Sequence, residues 1–126
     1  MTALRILYVE DNAHLRETIG LLLEAPGREI LLCGDAESAL VACAAQRFDL
    51  LITDVSLPGM SGTELARQVL AREAGCWVVL CSGYEFRHGL ATIGPRVRSL
   101  PKPFEIEELD ALMAEITADL AQRDAG

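Results

Sequence analysis

Asp49-Leu50-Leu51-Ile52-Thr53-Asp54-Val55-Ser56-Leu57-Pro58-Gly59-Met60-Ser61-Gly62 decides the fold of this chain. Residues 49–53 form a short apolar run of strand length, and Asp54 closes it. Leu57-Pro58-Gly59-Met60 is a turn, since Pro presets one backbone torsion and Gly supplies the next. Ser61-Gly62-Thr63-Glu64 has the S-x-x-E form of a capping box and opens a helix. That helix carries Leu65, Ala66, Val69 and Leu70 toward a core and ends near Glu73. The unit is strand, turn, helix, with a carboxylate where the strand ends.

The same unit recurs on both sides. Strands are expected at 4–9, 29–33, 76–81 and 96–100. Helix 1 begins at Asn12, a good N-cap, carries Leu15, Ile19, Leu22 and Leu23 on one face, and ends at Pro26-Gly27. Asp35 caps an alanine-rich second helix with a thin buried face, running to about Gln46. A short fourth helix is expected within 84–94, interrupted by Gly89 and stopped by Gly94-Pro95. The fifth begins near Phe104 and stripes Leu109, Leu112, Met113, Ile116 and Leu120 along one face. The tail 122–126 is expected to fray. Alternation of this kind marks βαβ units, so the fold class is α/β: a doubly wound, five-stranded parallel sheet flanked by five helices. The chain reads as one domain over 1–126.

Composition narrows the function. The chain has 126 residues, 51% hydrophobic and 24% charged, which fits a globular domain and excludes a disordered one. Its formal net charge is −8, a poor match for a phosphate backbone, so we expect no direct nucleic acid binding and an output through another protein. No apolar run reaches bilayer-spanning length, and the N-terminus enters a strand pattern at once, so neither membrane insertion nor a signal peptide is expected. Cys33, Cys43, Cys76 and Cys81 lack CxxC spacing and sit in apolar segments, as buried reduced thiols of a cytoplasmic protein do.

Polar residues follow four of the strands: Glu10-Asp11, Asp54, Ser82 and Lys102. Doubly wound sheets bind ligands beyond the carboxyl ends of their strands, which brings these four positions together. Asp54 is the candidate nucleophile, able to form an aspartyl phosphate when the incoming phosphoryl group is aligned and its charge neutralised. Glu10, Asp11 and Asp54 would put three carboxylates around one point, which calls for a cation. Hard oxygen ligands suit Mg²⁺, with Mn²⁺ as a substitute. Lys102 can pair with a phosphate oxygen and with Asp54, and the Ser82 hydroxyl can serve another oxygen. The Gly83 amide has no side chain in its way. Each residue also has a plainer reading: Asp54 as a turn residue, Glu10-Asp11 as a helix opening, Ser82-Gly83 and Pro101-Lys102-Pro103 as turns. The set, in this order and at strand ends, is what points to phosphoryl chemistry. His14 and His88 read as surface histidines and Trp77 as a packing residue.

Over nearly its whole length the sequence resembles the receiver domains of two-component response regulators. The segments that carry this are Ile6-Leu7-Tyr8-Val9-Glu10-Asp11-Asn12, the 49–62 stretch, Val79-Leu80-Cys81-Ser82-Gly83-Tyr84 and Leu100-Pro101-Lys102-Pro103-Phe104. The resemblance implies a flavodoxin-like receiver fold with strand order 2-1-3-4-5. It makes Asp54 the phosphoacceptor, Glu10 and Asp11 metal carboxylates, and the Ser56 carbonyl a backbone metal ligand. Ser82 becomes the switch hydroxyl, Lys102 the phosphate-binding lysine, and Lys102–Pro103 a cis peptide. The implied donor is a phosphohistidine on a sensor histidine kinase or histidine phosphotransfer protein. The output goes to a downstream protein or fused module, with a homodimer through the fourth helix, fifth strand and fifth helix as one form of it. Such a protein has only self-phosphorylation and self-dephosphorylation chemistry.

One departure stands out: many receivers carry an aromatic residue three positions before the lysine, and here that position is Ser99. Tyr84 is near enough to Ser82 in sequence to shield the phosphoryl group or to substitute as reporter. With Ser56 it is also placed to tune the lifetime of the phosphate. Two other classes fit the sequence less well. A metal-dependent phosphatase on a similar sheet would need a second acid and a substrate cap, which the chain does not offer. A docking module without phosphorylation would not need the intact set of Glu10, Asp11, Asp54, Ser82 and Lys102.

Overall fold

The computed structural model describes residues 3–83, 93–103 and 105–125. Its elements alternate: β1 (Leu4–Val9), α1 (Ala13–Leu23), β2 (Arg28–Cys33), α2 (Ala36–Ala45), β3 (Leu50–Asp54), α3 (Gly62–Arg72), β4 (Trp77–Ser82), β5 (Val97–Pro101) and α4 (Ile106–Ala125). The strands form one parallel sheet in the order β2-β1-β3-β4-β5. Residues 84–92 of the expected fourth helix, Tyr84 and His88 among them, and Phe104 at the start of the last helix lie outside the described residues; α4 is therefore the fifth helix of the sequence reading.

Helix starts follow the caps read from sequence. Asn12 accepts from Leu15 N–H, Asp35 from Ser38 N–H and Ser61 from Glu64 N–H, each through its side chain. Strands β3, β4 and β5 each run one residue beyond the expected end, to Asp54, Ser82 and Pro101. The reason is that the ladder does not stop where the apolar run stops. Val55 N–H still donates to the Cys81 carbonyl at 2.9 Å, and Lys102 N–H to the Ser82 carbonyl at 2.6 Å.

Side-chain alternation divides the interior into two cores, one on each face of the sheet. Leu7, Val9, Leu51, Val78 and Leu80 pack with Leu65, Ala66 and Val69 of α3 and the alanines of α2. On the other face Ile6, Tyr8, Leu50, Ile52, Val79 and Leu100 pack with Ile19 and Leu23 of α1 and Leu109, Met113 and Ile116 of α4. One expected core residue is misplaced: Leu22 is 43% exposed. It sits beside the Leu15–Ile19–Leu23 line, whose four-residue spacing already fills the buried stripe. Among the four free cysteines Cys43 is only half-buried. Burial pushes the Cys76 thiol up to about 12, the charge of Cys43 and Asp49 adding to the rise.

The last helix is continuous through Ala125, past Gln122 where fraying was expected. Polar contacts hold its end. Arg123 donates to the Gly75 carbonyl at 2.8 Å and pairs with Asp119 at 2.7 Å. Asp119 also accepts from the Trp77 indole N–H at 2.8 Å. Arg98 stacks over the same indole, 4.9 Å from its centroid, and pairs with Glu115 at 3.0 Å. Trp77 is thus a packing residue with a polar handle. The Trp77 hydrogen bond holds the Asp119 carboxyl below its ordinary 3.8; burial opposes it, and the hydrogen bond and charge of Arg123, with the charge of Arg96, add to the lowering. A lowered folded-state pKa contributes stability that is present above the ordinary value and lost as pH falls through the lowered one. We expect Trp77 emission to show an acid step below pH 3.8 that is absent in Asp119→Ala, whose emission is altered already at neutral pH.

Candidate functional site

Register aligns the strand ends. Val9 lies level with Thr53, Asp54 with Cys81, and Ser82 with Pro101. The chain therefore delivers Glu10, Asp54, Ser82 and Lys102 to a single edge of the sheet. Carboxylate oxygens of Glu10, Asp11 and Asp54 all lie within 4.8 Å of one another. The Glu10 side chain is 3% exposed and that of Asp54 13%, whereas Asp11 is exposed.

Two buried carboxylates so close repel each other unless a positive charge stands between them. Lys102 supplies it: its Nζ is 2.8 Å from Glu10 Oε1 and 3.1 Å from Asp54 Oδ1. Burial lowers the Lys102 pKa, but the hydrogen bonds to Glu10 and Asp54 and their charges more than offset this, so it ends above the ordinary 10.5. A raised lysine pKa means a pairing that is complete at neutral pH and lost only as pH rises through the elevated value. Asn12 N–H donates to the other Glu10 oxygen at 3.1 Å.

Three carboxylates against one ammonium leave two negative charges uncompensated, and all the side-chain donors are hard oxygens. That donor set and charge fit a divalent cation of the Mg²⁺ or Mn²⁺ type. Neighbouring Cys81 stays a thiol. Burial pushes it up to about 12, the Lys102 ammonium pulling it back and the Asp54 and Glu10 carboxylates raising it further.

The remaining expected residues are placed as follows. Ser82 is 4% exposed, with its carbonyl held by Lys102 N–H. A side chain added at Gly83 would meet nothing within 4 Å among the described residues, so this glycine is not demanded by packing there. Ser56 is exposed just beyond β3. The Lys102–Pro103 peptide is cis. Ser99 is half-buried in β5, level with Leu80. His14 is exposed at the start of α1. Tyr84 lies outside the described residues.

Sequence reading missed the residues that hold the site from behind. A Cβ at Gly62 would overlap the Asp54 carbonyl oxygen, 2.8 Å from its carbon and 3.1 Å from Thr53 Oγ1. Thr53, itself buried, donates to the same Asp54 oxygen at 3.0 Å. The first residue of α3 is therefore pressed against the backbone of Asp54. A clue was present in the sequence: glycine at a first helical position, where almost any residue makes a better helix, signals close approach. Arg16 was also missed. Its Nη1 donates to the Glu10 carbonyl at 2.7 Å and lies 3.2 Å from where a Gly34 side chain would begin.

A family model for the response regulator receiver domain matches residues 6–114. The chain belongs to that family. It is 35% identical over 128 aligned residues to the transcriptional activator protein PfeR of Pseudomonas aeruginosa, covering 94% of this chain and 42% of PfeR. Thus the receiver spans less than half the length of that relative. Among solved structures it is similar to the receiver domain of the hybrid histidine kinase CckA, with TM-score 0.75 and 34% identity over 89% of this chain and 97% of that one. It is also similar to the response regulator TrrA of Thermotoga maritima, solved in complex with Mg²⁺–BeF, with TM-score 0.79 and 28% identity over 92% and 99%. The chain is a receiver domain of two-component signalling.

Gly62→Ala tests the backbone contact behind Asp54. Its side chain must displace the Asp54 carbonyl, so we expect a loss of about 1–3 kcal/mol in urea unfolding despite the better helix propensity of alanine. Gly83→Ala is expected to leave stability within about 0.5 kcal/mol of wild type.

Proposed function

We propose that this receiver accepts a phosphoryl group on Asp54 from a phosphohistidine of a sensor histidine kinase or phosphotransfer protein, and passes the change to a protein partner. The observation that carries this reading is the Lys102 bridge between Glu10 and Asp54 beside Asp11. An Asp54 carboxylate oxygen attacks phosphorus as the phosphorus–nitrogen bond breaks. The electron pair returns to the imidazole, which takes up a proton, and Asp54 is left as an acyl phosphate. Glu10, Asp11, Asp54 and the Ser56 carbonyl would hold Mg²⁺, or Mn²⁺ in its place, which when bound neutralises charge on the phosphoryl oxygens. Lys102 can shift its Asp54 hydrogen bond to a phosphoryl oxygen, and the Ser82 hydroxyl serves another. Ser56 and Tyr84 are the side chains proposed to tune water attack and hence lifetime.

The acidic surface suits protein rather than nucleic acid contact, and output is assigned to a partner or to a fused module outside this domain. Similarity to the CckA receiver favours a place in a hybrid kinase as the second form, since that likeness includes 34% identity. With Ser99 where many receivers have an aromatic residue, the signal must leave the site by another route. A homodimer through the expected helix within 84–94, β5 and α4 is one form of the output.

Intact-mass spectrometry after incubation with a small acyl phosphate tests the chemistry. We expect one phosphoryl adduct that requires both Mg²⁺ and Asp54 and is absent in Asp54→Ala. No adduct on the folded wild type, or an unchanged adduct on the variant, would overturn it. Arg16 provides a second test. It clamps the Glu10 carbonyl, so Arg16→Ala is expected to weaken Mg²⁺ binding by about tenfold in calorimetry, with partial recovery in Arg16→Lys.

A further inference from the structure

The loop that leaves Asp54 is pinned at its base by main-chain bonds. Val55 N–H donates to the Cys81 carbonyl at 2.9 Å, and the Val55 carbonyl accepts from Gly62 N–H at 2.9 Å. Residues 56–61 are what these bonds leave between β3 and α3. Ser56, whose carbonyl is the proposed backbone ligand for the cation, is the first residue past the pin. A loop held only at its ends keeps concerted freedom in the torsions between them, and a peptide plane near one end turns with them. Something must hold the tip if the Ser56 carbonyl is to keep one direction.

Helix α2 reaches that tip. Met60 N–H donates to Glu37 Oε2 at 3.4 Å, a long bond that the carboxylate charge strengthens. Gly59 brings the main chain against the same oxygen. Its φ of +75° lies in the left-handed region that favours glycine, and a Cβ there would stand 3.1 Å from Oε2. Leu57 and Met60 turn the other way and pack, half-buried, on the core shared by α2 and α3. The helix end that carries Glu37 is itself well seated. Asp35 caps it by accepting from Ser38 N–H at 2.7 Å, and the small, fully buried Ala36 and Ala39 let it lie close on the sheet. An acid in a first helical turn has a plain use, since it complements the helix dipole. That use does not call for a contact with Met60. Among the described residues Glu37 is in no ion pair, and the polar group it meets is the loop backbone.

We infer that Glu37 is a positioning residue for the cation site: by accepting from Met60 N–H and seating Gly59, it fixes the 56–61 loop and, through the loop, the direction of the Ser56 carbonyl. The inference rests on the reading of Glu10, Asp11, Asp54 and the Ser56 carbonyl as the holders of Mg²⁺. Glu37 acts through the main chain and touches no reacting group.

The test is calorimetric titration of Mg²⁺ into the full chain, with ¹⁵N amide and ¹³C carbonyl shifts recorded before the cation is added, on wild type, Glu37→Ala and Glu37→Gln. Glutamine loses the charge and keeps an oxygen acceptor. Glu37 is exposed, so both variants keep the core. Both also lose the first-turn charge, so any effect of that charge on stability is shared. The site readouts should part. Glu37→Ala is expected to weaken Mg²⁺ binding about three- to tenfold and to move the Met60 amide and Ser56 carbonyl resonances in the cation-free protein. Glu37→Gln should stay within about twofold of wild type, with both resonances near their wild-type positions. Phosphoryl transfer to Asp54 should persist in both variants at saturating Mg²⁺. Equal affinity in wild type and Glu37→Ala would overturn the inference. So would an equal loss in Glu37→Gln, which would make Glu37 a distant charge and not a contact. A wild type that takes up neither Mg²⁺ nor a phosphoryl group would overturn the reading of the site and this inference together. A wild type that takes up both, beside an unchanged Glu37→Ala, would remove Glu37 alone.

Discussion

One ammonium group holds the working edge of this molecule together. Lys102 closes on Glu10 at the end of β1 and on Asp54 at the end of β3 while its own backbone is tied to Ser82 at the end of β4. Without it, two carboxylates that are almost fully withdrawn from water would face each other. Repulsion at that distance in a low dielectric would push the strand ends apart. The sheet order makes the closure possible: β1 and β3 are neighbours, and β4 separates β3 from the strand that carries the lysine. Burial of the acids and reach of the lysine are parts of one arrangement.

Behind the charged groups stands a second, uncharged constraint. Asp54 is aimed by its backbone as much as by its side chain, because Thr53 and the start of α3 both abut its carbonyl. Glu10 is treated similarly through Arg16. Carboxylates can rotate to suit whatever they bind, while the main chain that carries them is fixed by contacts that no charge change directly disturbs. That division between mobile heads and a fixed base suits a site that must bind, react and reset.

Much of this was legible from residues alone. Strand-length apolar runs, capping residues such as Asn12, Asp35 and Ser61, and polar residues at strand ends are local signals, and the fold expresses them directly. What sequence reading missed depends on distance in space. Leu22 looked like core because its type and spacing suit a helix face, yet the width of the buried stripe is set by what packs opposite. The end of α4 looked weak because Arg123 has no local partner except Asp119; its second anchor, Gly75, lies far away in sequence. Gly62 and Arg16 act on neighbours by contact with main-chain atoms, and a main-chain atom leaves no mark on composition. The strand ends were each short by one residue because the hydrogen-bond ladder, unlike hydrophobicity, does not distinguish Asp54 or Ser82 from the apolar residues before them.

Lys102 is also the only lysine in the chain. Its side chain is 24% exposed, and its ε-ammonium is engaged by two acids. Apart from the N-terminal amine, every amine-directed reagent therefore has a single side-chain address on this protein, and that address is the site itself. Acylation or reductive methylation would report on the pairing of Glu10 and Asp54 without any change of sequence. The same uniqueness makes amine-based immobilisation or crosslinking a poor choice for this domain, because attachment would consume the group that joins its strand ends.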